Sequence, residues 1–235
     1  MLTNKFKAAI TAVDWNSNVC DFLSDQPAIE RLAAANLRLA VWSRQLENAD
    51  AGNPALSFIR EMQIAGQHVA ALVALSLYKP ASAQIRAVFE CALFYTYFRT
   101  HHSELATLVR SPEYFLDKKE IIDYHKVHSE KFSELQHKIG LVSQINKWYS
   151  KISAIVHGQI PGSWVGYTKI ADIKTAKPTY NSAIDLFIQG VDIVHRLLLC
   201  TVAQVLWNKF STTAKKQLLA GMSGEQKSAM GLDAA

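Results

Sequence analysis

The sequence predicts an all-α protein, folded as a single-domain helical bundle with a central antiparallel helical hairpin. Apolar residues recur at helical spacing along most of the 235-residue chain, and no segment has the alternating pattern of a half-buried strand. Hydrophobic residues make up 49% of the chain and charged residues only 19%, which favours a substantial buried core over disorder. Two long apolar segments, separated only by Lys79-Pro80, provide the hairpin.

The N-terminal part of the chain is expected to form helices that pack on this bundle. A short helix is predicted over residues 3–13, and Asp25 and Pro27 provide the cap and first turn of a longer one. No internal repeat or linker divides the chain into separate folding units. We therefore expect three parts: N-terminal helices over 1–53, a helical core over 54–210, and a short helix with a flexible tail over 211–235.

The central hairpin is predicted from the apolar character of its two helices. The first, over residues 54–78, is apolar on nearly every face, which is typical of a helix in the centre of a bundle. Lys79-Pro80 is expected to break it, and the second helix runs over residues 81–101. Because the connection is so short, the two helices are expected to lie antiparallel.

The second half of the chain begins with a polar stretch and ends with an apolar helix. Ser111-Pro112-Glu113 has the cap, the proline and the acid expected where a helix begins. The residues that follow Gly140 then form a helix that ends at His157-Gly158. Its apolar stripe consists of Leu141, Ile145, Trp148, Ile152 and Ile155. Residues 158–180 are expected to be a long ordered loop, and residues 181–210 the last long helix.

Charge, cysteines and short motifs exclude several classes of protein. The formal net charge of +5 permits an RNA or phosphate partner without requiring one. The three cysteines are dispersed, which argues for a reducing compartment and against a zinc site. Glu134 and His137 form a single E-x-x-H, too little for a carboxylate-bound metal pair. We expect no metal and no cofactor.

The chain is also expected to act away from membranes. No secretory signal is evident near the N-terminus, because Asp14 and Asn16 interrupt the apolar residues there. The uncharged segment over 62–78 is slightly short for a membrane span and contains polar residues. We therefore expect a cytoplasmic protein with no membrane partner.

His157 is the first candidate functional residue. A histidine in the last turn of a helix is well placed to act as a charged donor or as a proton shuttle. Ser150 and Ser153 precede it on roughly the same side, and Lys151 lies about 120° around the helix. The alternatives are that His157 caps a backbone carbonyl group and that this polar strip contacts only solvent.

Arg86 and Glu90 form a second candidate site. They lie one helical turn apart in an otherwise apolar helix, and a charged pair in such a setting needs partners. Glu61 and His68 on the preceding helix, with Arg60 beside them, are close enough in the hairpin to approach this pair. An ion pair that only fixes the register of the helix is the alternative.

Two segments together resemble the HEPN superfamily. One is Leu77-Tyr78-Lys79-Pro80-Ala81 followed by Arg86 and Glu90, and the other is the Tyr149–His157 helix that ends in Val-His-Gly. The resemblance covers residues 54–207. It implies an all-α domain of the kind common in bacterial toxin–antitoxin and phage-defence systems.

Active members of that superfamily are metal-independent ribonucleases, which sets the expected chemistry. Their motif is an arginine, a spacer of about four to six residues and a histidine, and two copies usually meet across a homodimer. Cleavage of RNA through its own 2′-hydroxyl group needs a proton shuttle and a cation for the charge of the phosphorane. The resemblance therefore also implies a homodimer and an antitoxin or defence-system partner protein.

The chain matches the histidine of this motif and departs from it at the arginine. His157 matches the histidine, but Ser150, Lys151 and Ile152 occupy the places that the spacing allows for the arginine. We infer that Arg86 supplies the missing guanidinium from the neighbouring helix. A lysine in its place, Lys151, provides charge but not a bidentate fork.

The expected site follows from this comparison. His157 is expected to be the general acid and base, Lys151 or Arg86 the phosphate stabiliser, and Glu90 the residue that orients them. The residues expected to contact RNA are Ser150, Ser153, Trp164 and Lys169. Two other functions stay open: a catalytically inactive HEPN-like module that binds RNA, a nucleotide or a partner protein, and an unrelated helical bundle with a small-molecule pocket.

Overall fold

A computed structural model of the chain describes residues 1–232 and contains no strand within that range. The helices of the first half are α1 Leu2–Thr11, α2 Trp15–Leu23, α3 Gln26–Ala49, α4 Leu56–Ala74, α5 Tyr78–Phe98, α6 His102–Arg110 and α7 Lys118–His128. Those of the second half are α8 Phe132–Ile139, α9 Leu141–Val156, α10 Lys177–Cys200, α11 Ala203–Leu206, α12 Thr212–Leu218 and α13 Gly224–Met230. Short 3-10 helices cover Ile170–Asp172 and Trp207–Lys209.

The prediction of an all-α bundle around a central antiparallel hairpin is confirmed. Helices α4 and α5 pack against each other along their lengths, while α3, α9 and α10 surround them. One contiguous core runs through these helices, and its largest fully buried side chains include Trp42, Phe89 and Phe187. The hairpin therefore lies at the centre, and its second helix contacts both α9 and α10.

The hairpin turns earlier than the sequence predicted. Helix α4 ends at Ala74, and Ser76 adopts a left-handed backbone conformation with φ 61°. Lys79-Pro80 does not break a helix but lies in the first turn of α5, where a backbone N–H group has no intrahelical partner and proline costs nothing. The Tyr78 hydroxyl group donates to Ser76 Oγ at 3.2 Å and holds the turn.

Helices α2 and α3 begin at acidic caps. Asp25 accepts a hydrogen bond from the Ala28 amide at the start of α3, as predicted, and α3 buries Trp42 completely. Asp14 likewise caps α2, accepting from the Ser17 amide at 2.8 Å, and that helix was not predicted.

The helix start predicted at Ser111-Pro112-Glu113 is wrong. Helix α6 ends at Arg110, and the next helix begins at Lys118 after Asp117. Asp117 and Glu120 form a capping box, in which each side chain accepts from the other residue's amide at 2.8 Å. The capping box gives hydrogen-bond acceptors to two backbone amide groups, which favours Asp117 over Ser111 as the residue at which the helix starts.

Helix α9 follows its predicted course. It starts after Gly140, whose φ is 62°, and it buries the whole predicted apolar stripe. Trp148 on this stripe donates to the Leu186 carbonyl oxygen of α10 at 2.9 Å. A Cβ atom at Gly190 would lie 2.5 Å from the Trp148 ring, so the close approach of α9 to α10 requires a glycine there.

The C-terminal part is more ordered than predicted. Helix α10 ends at Cys200 rather than at residue 210, and the segment predicted to be a flexible tail contains α13. Met230 and Leu232 are buried in the core, which explains why this segment is helical. Residues 233–235 of the predicted tail lie outside the described part of the chain. Within residues 1–232, no single helix is long and apolar enough to span a membrane.

Candidate functional site

Arg86 on α5 lies at the centre of a polar cluster between α5 and α9. Its Nη1 atom is 2.9 Å from His157 Nε2, and its Nε atom donates to Glu90 Oε1 at 2.8 Å. A guanidinium group has only donors, so the His157 Nε2 atom accepts and Nδ1 carries the proton. The three residues that the sequence nominated on two separate helices thus form one connected group.

Tyr149 joins this group from α9. Its hydroxyl group donates to Glu90 Oε1 at 2.6 Å, and the Arg86 guanidinium lies 5.0 Å from the centre of its ring. Glu90 Oε1 therefore accepts from Arg86 and Tyr149 at once. The same side chain fixes α5 to α9 and sets the direction of the guanidinium.

The charge states of this cluster follow from its partial burial. Although burial lowers it, the hydrogen bond and the negative charge of Glu90 raise the pKa of Arg86 above its usual range. Burial, followed by the hydrogen bond to Glu90, raises the pKa of Tyr149 to about 12. At neutral pH Arg86 is therefore cationic and Tyr149 keeps the proton that it donates.

Two lysines that the sequence did not nominate flank the cluster. A Cβ atom at Gly158 would lie 3.3 Å from Lys79 Nζ, so the Lys79 ammonium rests beside the backbone that follows His157. Lys118 Nζ lies 5.3 Å from the centre of the Tyr149 ring, and partial burial lowers the pKa of this lysine. Lys118 Nζ donates to Asn146 Oδ1, so with Arg86 these side chains place three cations along α9 between Asn146 and Gly158.

The geometry at the end of α9 leaves His157 accessible. His157 is the C-cap residue, and Gly158 after it has φ 68°, a conformation that favours glycine. The His157 amide donates to the Ser153 carbonyl oxygen at 2.9 Å. The imidazole is exposed and contacts Arg86 rather than a helix-terminal carbonyl group.

The other residues predicted on α9 do not join the cluster. Lys151 and Ser150 are exposed, and within residues 1–232 no ion pair or hydrogen bond connects the Lys151 side chain to Arg86, Glu90 or His157. Ser153 is partly buried, and its Oγ atom has no hydrogen-bond partner among the described residues.

The loop residues predicted to contact RNA lie apart from the Arg86 group. Trp164 Nε1 donates to Ser182 Oγ at 3.2 Å, and the Trp164 ring packs partly against the core. Lys169 is exposed just before the 3-10 helix Ile170–Asp172. No hydrogen bond within the described residues connects either side chain to His157.

The predicted residues of the neighbouring helix α4 do not join the group, since among the described residues no hydrogen bond or ion pair connects Glu61 or His68 to Arg86 or Glu90. Arg60 forms a bidentate pair with Glu47 of α3, with nitrogen–oxygen distances of 2.7 and 2.9 Å, instead of approaching Glu90. Within residues 1–232, no group of three or more histidine, cysteine, aspartate or glutamate side chains is arranged to hold a metal ion.

This arrangement couples one neutral imidazole acceptor to one oriented guanidinium. Glu90 fixes the Arg86 Nε atom, His157 Nε2 lies at Nη1, and the guanidinium also makes a hydrogen bond with the Tyr149 hydroxyl group. A guanidinium has five N–H donors, so donors remain for the oxygen atoms of an anion. In comparisons with protein-family models, with curated proteins and with solved structures, nothing matches the chain.

Proposed function

We propose that the protein is a HEPN-like, metal-independent endoribonuclease in which His157 and Arg86 carry the cleavage chemistry. The observation that supports this most is the 2.9 Å contact between Arg86 Nη1 and His157 Nε2 at an accessible helix end. The motif lacks an arginine on α9, and a guanidinium from α5 occupies the position beside the histidine. Arg86 rather than Lys151 is therefore the proposed phosphate stabiliser.

The proposed cleavage uses the 2′-hydroxyl group of RNA as the nucleophile. When a phosphate binds, its oxygen atom replaces His157 Nε2 as the acceptor of Arg86 Nη1, and His157 Nε2 becomes free to accept the 2′-hydroxyl proton. The oxygen attacks the phosphorus atom, and the guanidinium stabilises the charge of the phosphorane. The 5′-oxygen leaves with a proton from an imidazolium, and the product is a 2′,3′-cyclic phosphate.

Glu90 and Tyr149 act as positioning residues in this proposal. Glu90 accepts from Arg86 Nε and from the Tyr149 hydroxyl group through one oxygen atom. The guanidinium plane is thereby held against the Tyr149 ring, 5.0 Å from its centre. A fixed guanidinium loses less conformational entropy when it binds a phosphate.

Lys79 and Lys118 extend the positive surface on which an RNA strand is proposed to lie. Lys79 Nζ is close to the backbone after His157, and Lys118 lies over the Tyr149 ring. Non-sequence-specific RNA binding depends on such cations and is sensitive to salt. Three further residues contact RNA in this proposal only where the strand extends beyond the Arg86 group. They are Ser150, Trp164 and Lys169.

The assembly and role of the enzyme are also proposals. A homodimer brings a second His157–Arg86 pair to the substrate, and the second imidazole is then the acid for the leaving group. The resemblance favours a toxin-type effector with an antitoxin or a phage-defence protein as its partner, and the proposed place of action is the cytoplasm. Sedimentation of the purified chain tests the dimer directly.

The ribonuclease proposal is tested by incubating the purified protein with mixed RNAs in EDTA. Wild type is expected to cleave and to leave 2′,3′-cyclic phosphate ends, while His157→Ala loses about a hundredfold or more in rate. His137→Ala, which changes an exposed histidine on α8, is the matched control and keeps the wild-type rate. Absence of cleavage by wild type, or equal cleavage by His157→Ala, contradicts the proposal.

A catalytically inactive module that binds RNA, a nucleotide or a partner protein is the second candidate. The contact between Arg86 Nη1 and His157 Nε2 also favours this function, because the nitrogen atom that would act as the base is already bound to Arg86. Salt-sensitive RNA binding without turnover, unchanged by His157→Ala but weakened by Lys79→Gln, would select this function.

A further inference from the structure

A cavity of about 1040 Å³ lies at the other end of α9 from His157. Its walls come from α3, α8, α10 and the segment that contains α13. Arg196 on this wall donates to Gln144 Oε1 near the start of α9. Along the axis of α9, Gln144 and His157 are about 20 Å apart. The cavity shares no residue with the Arg86 group, so it is a separate site.

The cavity is lined by three cations and two carboxylates, Arg38, Lys138 and Arg196 with Asp192 and Glu225. Two of the cations are ion-paired, Arg38 with Asp192 and Lys138 with Glu134. Arg196, in contrast, is half-buried and has only the Gln144 amide oxygen, at 2.6 Å, as a hydrogen-bond acceptor within the described residues. A half-buried guanidinium without a carboxylate favours the binding of an anion.

A buried histidine adds a hydrogen-bond donor to the same wall. His195 is 7% exposed, and its Nδ1 atom accepts from Trp42 Nε1 at 3.0 Å. The proton of the neutral ring is therefore on Nε2, which has no partner within residues 1–232. Burial, followed by the charges of Arg38 and Arg196, lowers the pKa of His195 to about 3, so this N–H group is present in the neutral ring at physiological pH.

The remaining wall is mixed. Ile139, Leu199, Met222 and Met230 line it together with Gln226 and Ser228. His195 lines the cavity and Trp42 occupies its Nδ1 atom, so Nε2 is the ring nitrogen left for a ligand. A volume of this size accommodates a ligand larger than a free ion. Cationic donors next to apolar side chains suit an anion with an apolar body.

We propose that this cavity binds a small organic phosphate of about mononucleotide size. Its phosphate group lies between Arg196 and the Nε2 atom of His195, and its body lies on the partly exposed Ile139 and Met222 side chains. A guanidinium fork matches two phosphate oxygens, and the imidazole N–H group reaches a third. The ribonuclease proposal neither requires this site nor depends on it.

Calorimetric titration of the full chain with AMP, inorganic phosphate and adenosine tests the proposal. AMP is expected to bind more tightly than inorganic phosphate by about tenfold or more, because only AMP contacts the apolar side chains. Adenosine is expected to show no binding at about 1 mM. Absence of AMP binding at that concentration overturns the proposal, and so does equal affinity for inorganic phosphate and AMP.

Variants locate the binding in this cavity. Arg196→Gln is expected to weaken AMP binding at least about tenfold, and Lys138→Gln, which changes an exposed side chain at the rim, to weaken it by a smaller factor. Arg110→Gln removes an exposed arginine of α6 as the matched control and leaves the affinity unchanged. Wild-type affinity in both Arg196→Gln and Lys138→Gln overturns the assignment. Circular dichroism of each variant verifies that it is folded.

Discussion

The Arg86 guanidinium and the His157 imidazole are 71 positions apart in the sequence and 2.9 Å apart in the structure. Antiparallel packing of α5 and α9 creates this contact, since Tyr149 lies beside Glu90 and Gly158 beside Lys79. In the ribonuclease proposal, this contact between two helices takes the place of the arginine–histidine pair that the HEPN motif carries within one helix.

Glu90→Gln and Tyr149→Phe are expected to lower kcat for RNA cleavage by about ten- to a hundredfold, with a smaller change in KM. Both variants release the Arg86 guanidinium from its fixed direction, and neither removes a group that reacts. Because the two side chains act through one hydrogen bond, the double variant should lose less than the product of the two single effects. Steady-state kinetics of the three variants measure this, and strictly multiplicative losses would show that the residues act separately.

Gly190→Ala is expected to destabilise the protein by about 1–3 kcal/mol. The new methyl group would lie 2.5 Å from the Trp148 ring and would push α9 away from α10. The gain in helix propensity, about 1 kcal/mol at most, does not offset this. Urea denaturation measures the free energy of unfolding. Gly166→Ala, where a Cβ atom meets nothing within 4 Å, serves as the control and should change it by less than about 0.5 kcal/mol.

Stability is expected to fall as the pH is lowered below about 6.5. Burial lowers the pKa of His125 to about 4 and of His195 to about 3, while both titrate near 6.5 in the unfolded chain. Below that pH the unfolded state binds more protons, so the free energy of unfolding decreases down to the native pKa values.

The contribution of His125 can be isolated with a variant. His125 contacts the Thr96 and Ser129 hydroxyl groups, and His125→Gln keeps hydrogen-bonding capacity without titrating. As the pH decreases, the unfolding free energy of His125→Gln should fall less steeply than that of wild type. The difference between the two slopes should be up to about 1.4 kcal/mol per pH unit. His102→Gln, at an exposed position, should leave the slope unchanged. A wild-type slope in His125→Gln would contradict this interpretation.

Asp117→Ala is expected to cost about 1 kcal/mol of stability because it removes the capping box of α7. Asp117→Asn keeps a cap acceptor and should restore most of that loss. The free energy of unfolding of both variants provides the comparison. Equal stability of Asp117→Ala and wild type would mean that Lys118 and its helix are held by tertiary contacts alone.

The sequence predicted the helices of the bundle well where apolar residues keep helical spacing over a long segment. The stripe from Leu141 to Ile155 is buried throughout, and the Asp25 cap was identified correctly. Helix boundaries near proline were predicted less well, because Pro80 and Pro112 are equally compatible with a first turn and with a break. The left-handed conformation of Ser76 depends on the contact with Tyr78, which local propensity does not reveal.

The candidate site was predicted in part for a related reason. Arg86, Glu90 and His157 are polar residues in apolar helices, so their chemistry is visible in the sequence. Tyr149 and Lys79 join the cluster only because of the register in which α5 packs against α9. The spacing of apolar residues along each helix does not reveal that register. The residues that line the Arg196 cavity come from several helices that are distant from one another in the sequence. No short sequence motif therefore predicts this cavity.

The rate of RNA cleavage in EDTA by Arg86→Gln and by Lys151→Gln tests the central claim most directly. If Arg86 is the cation beside His157, Arg86→Gln should lose about a hundredfold or more, while Lys151→Gln should stay within about tenfold of wild type. Wild-type cleavage by Arg86→Gln, or an equal loss in Lys151→Gln, would contradict the claim that the guanidinium from α5 replaces the missing arginine of α9.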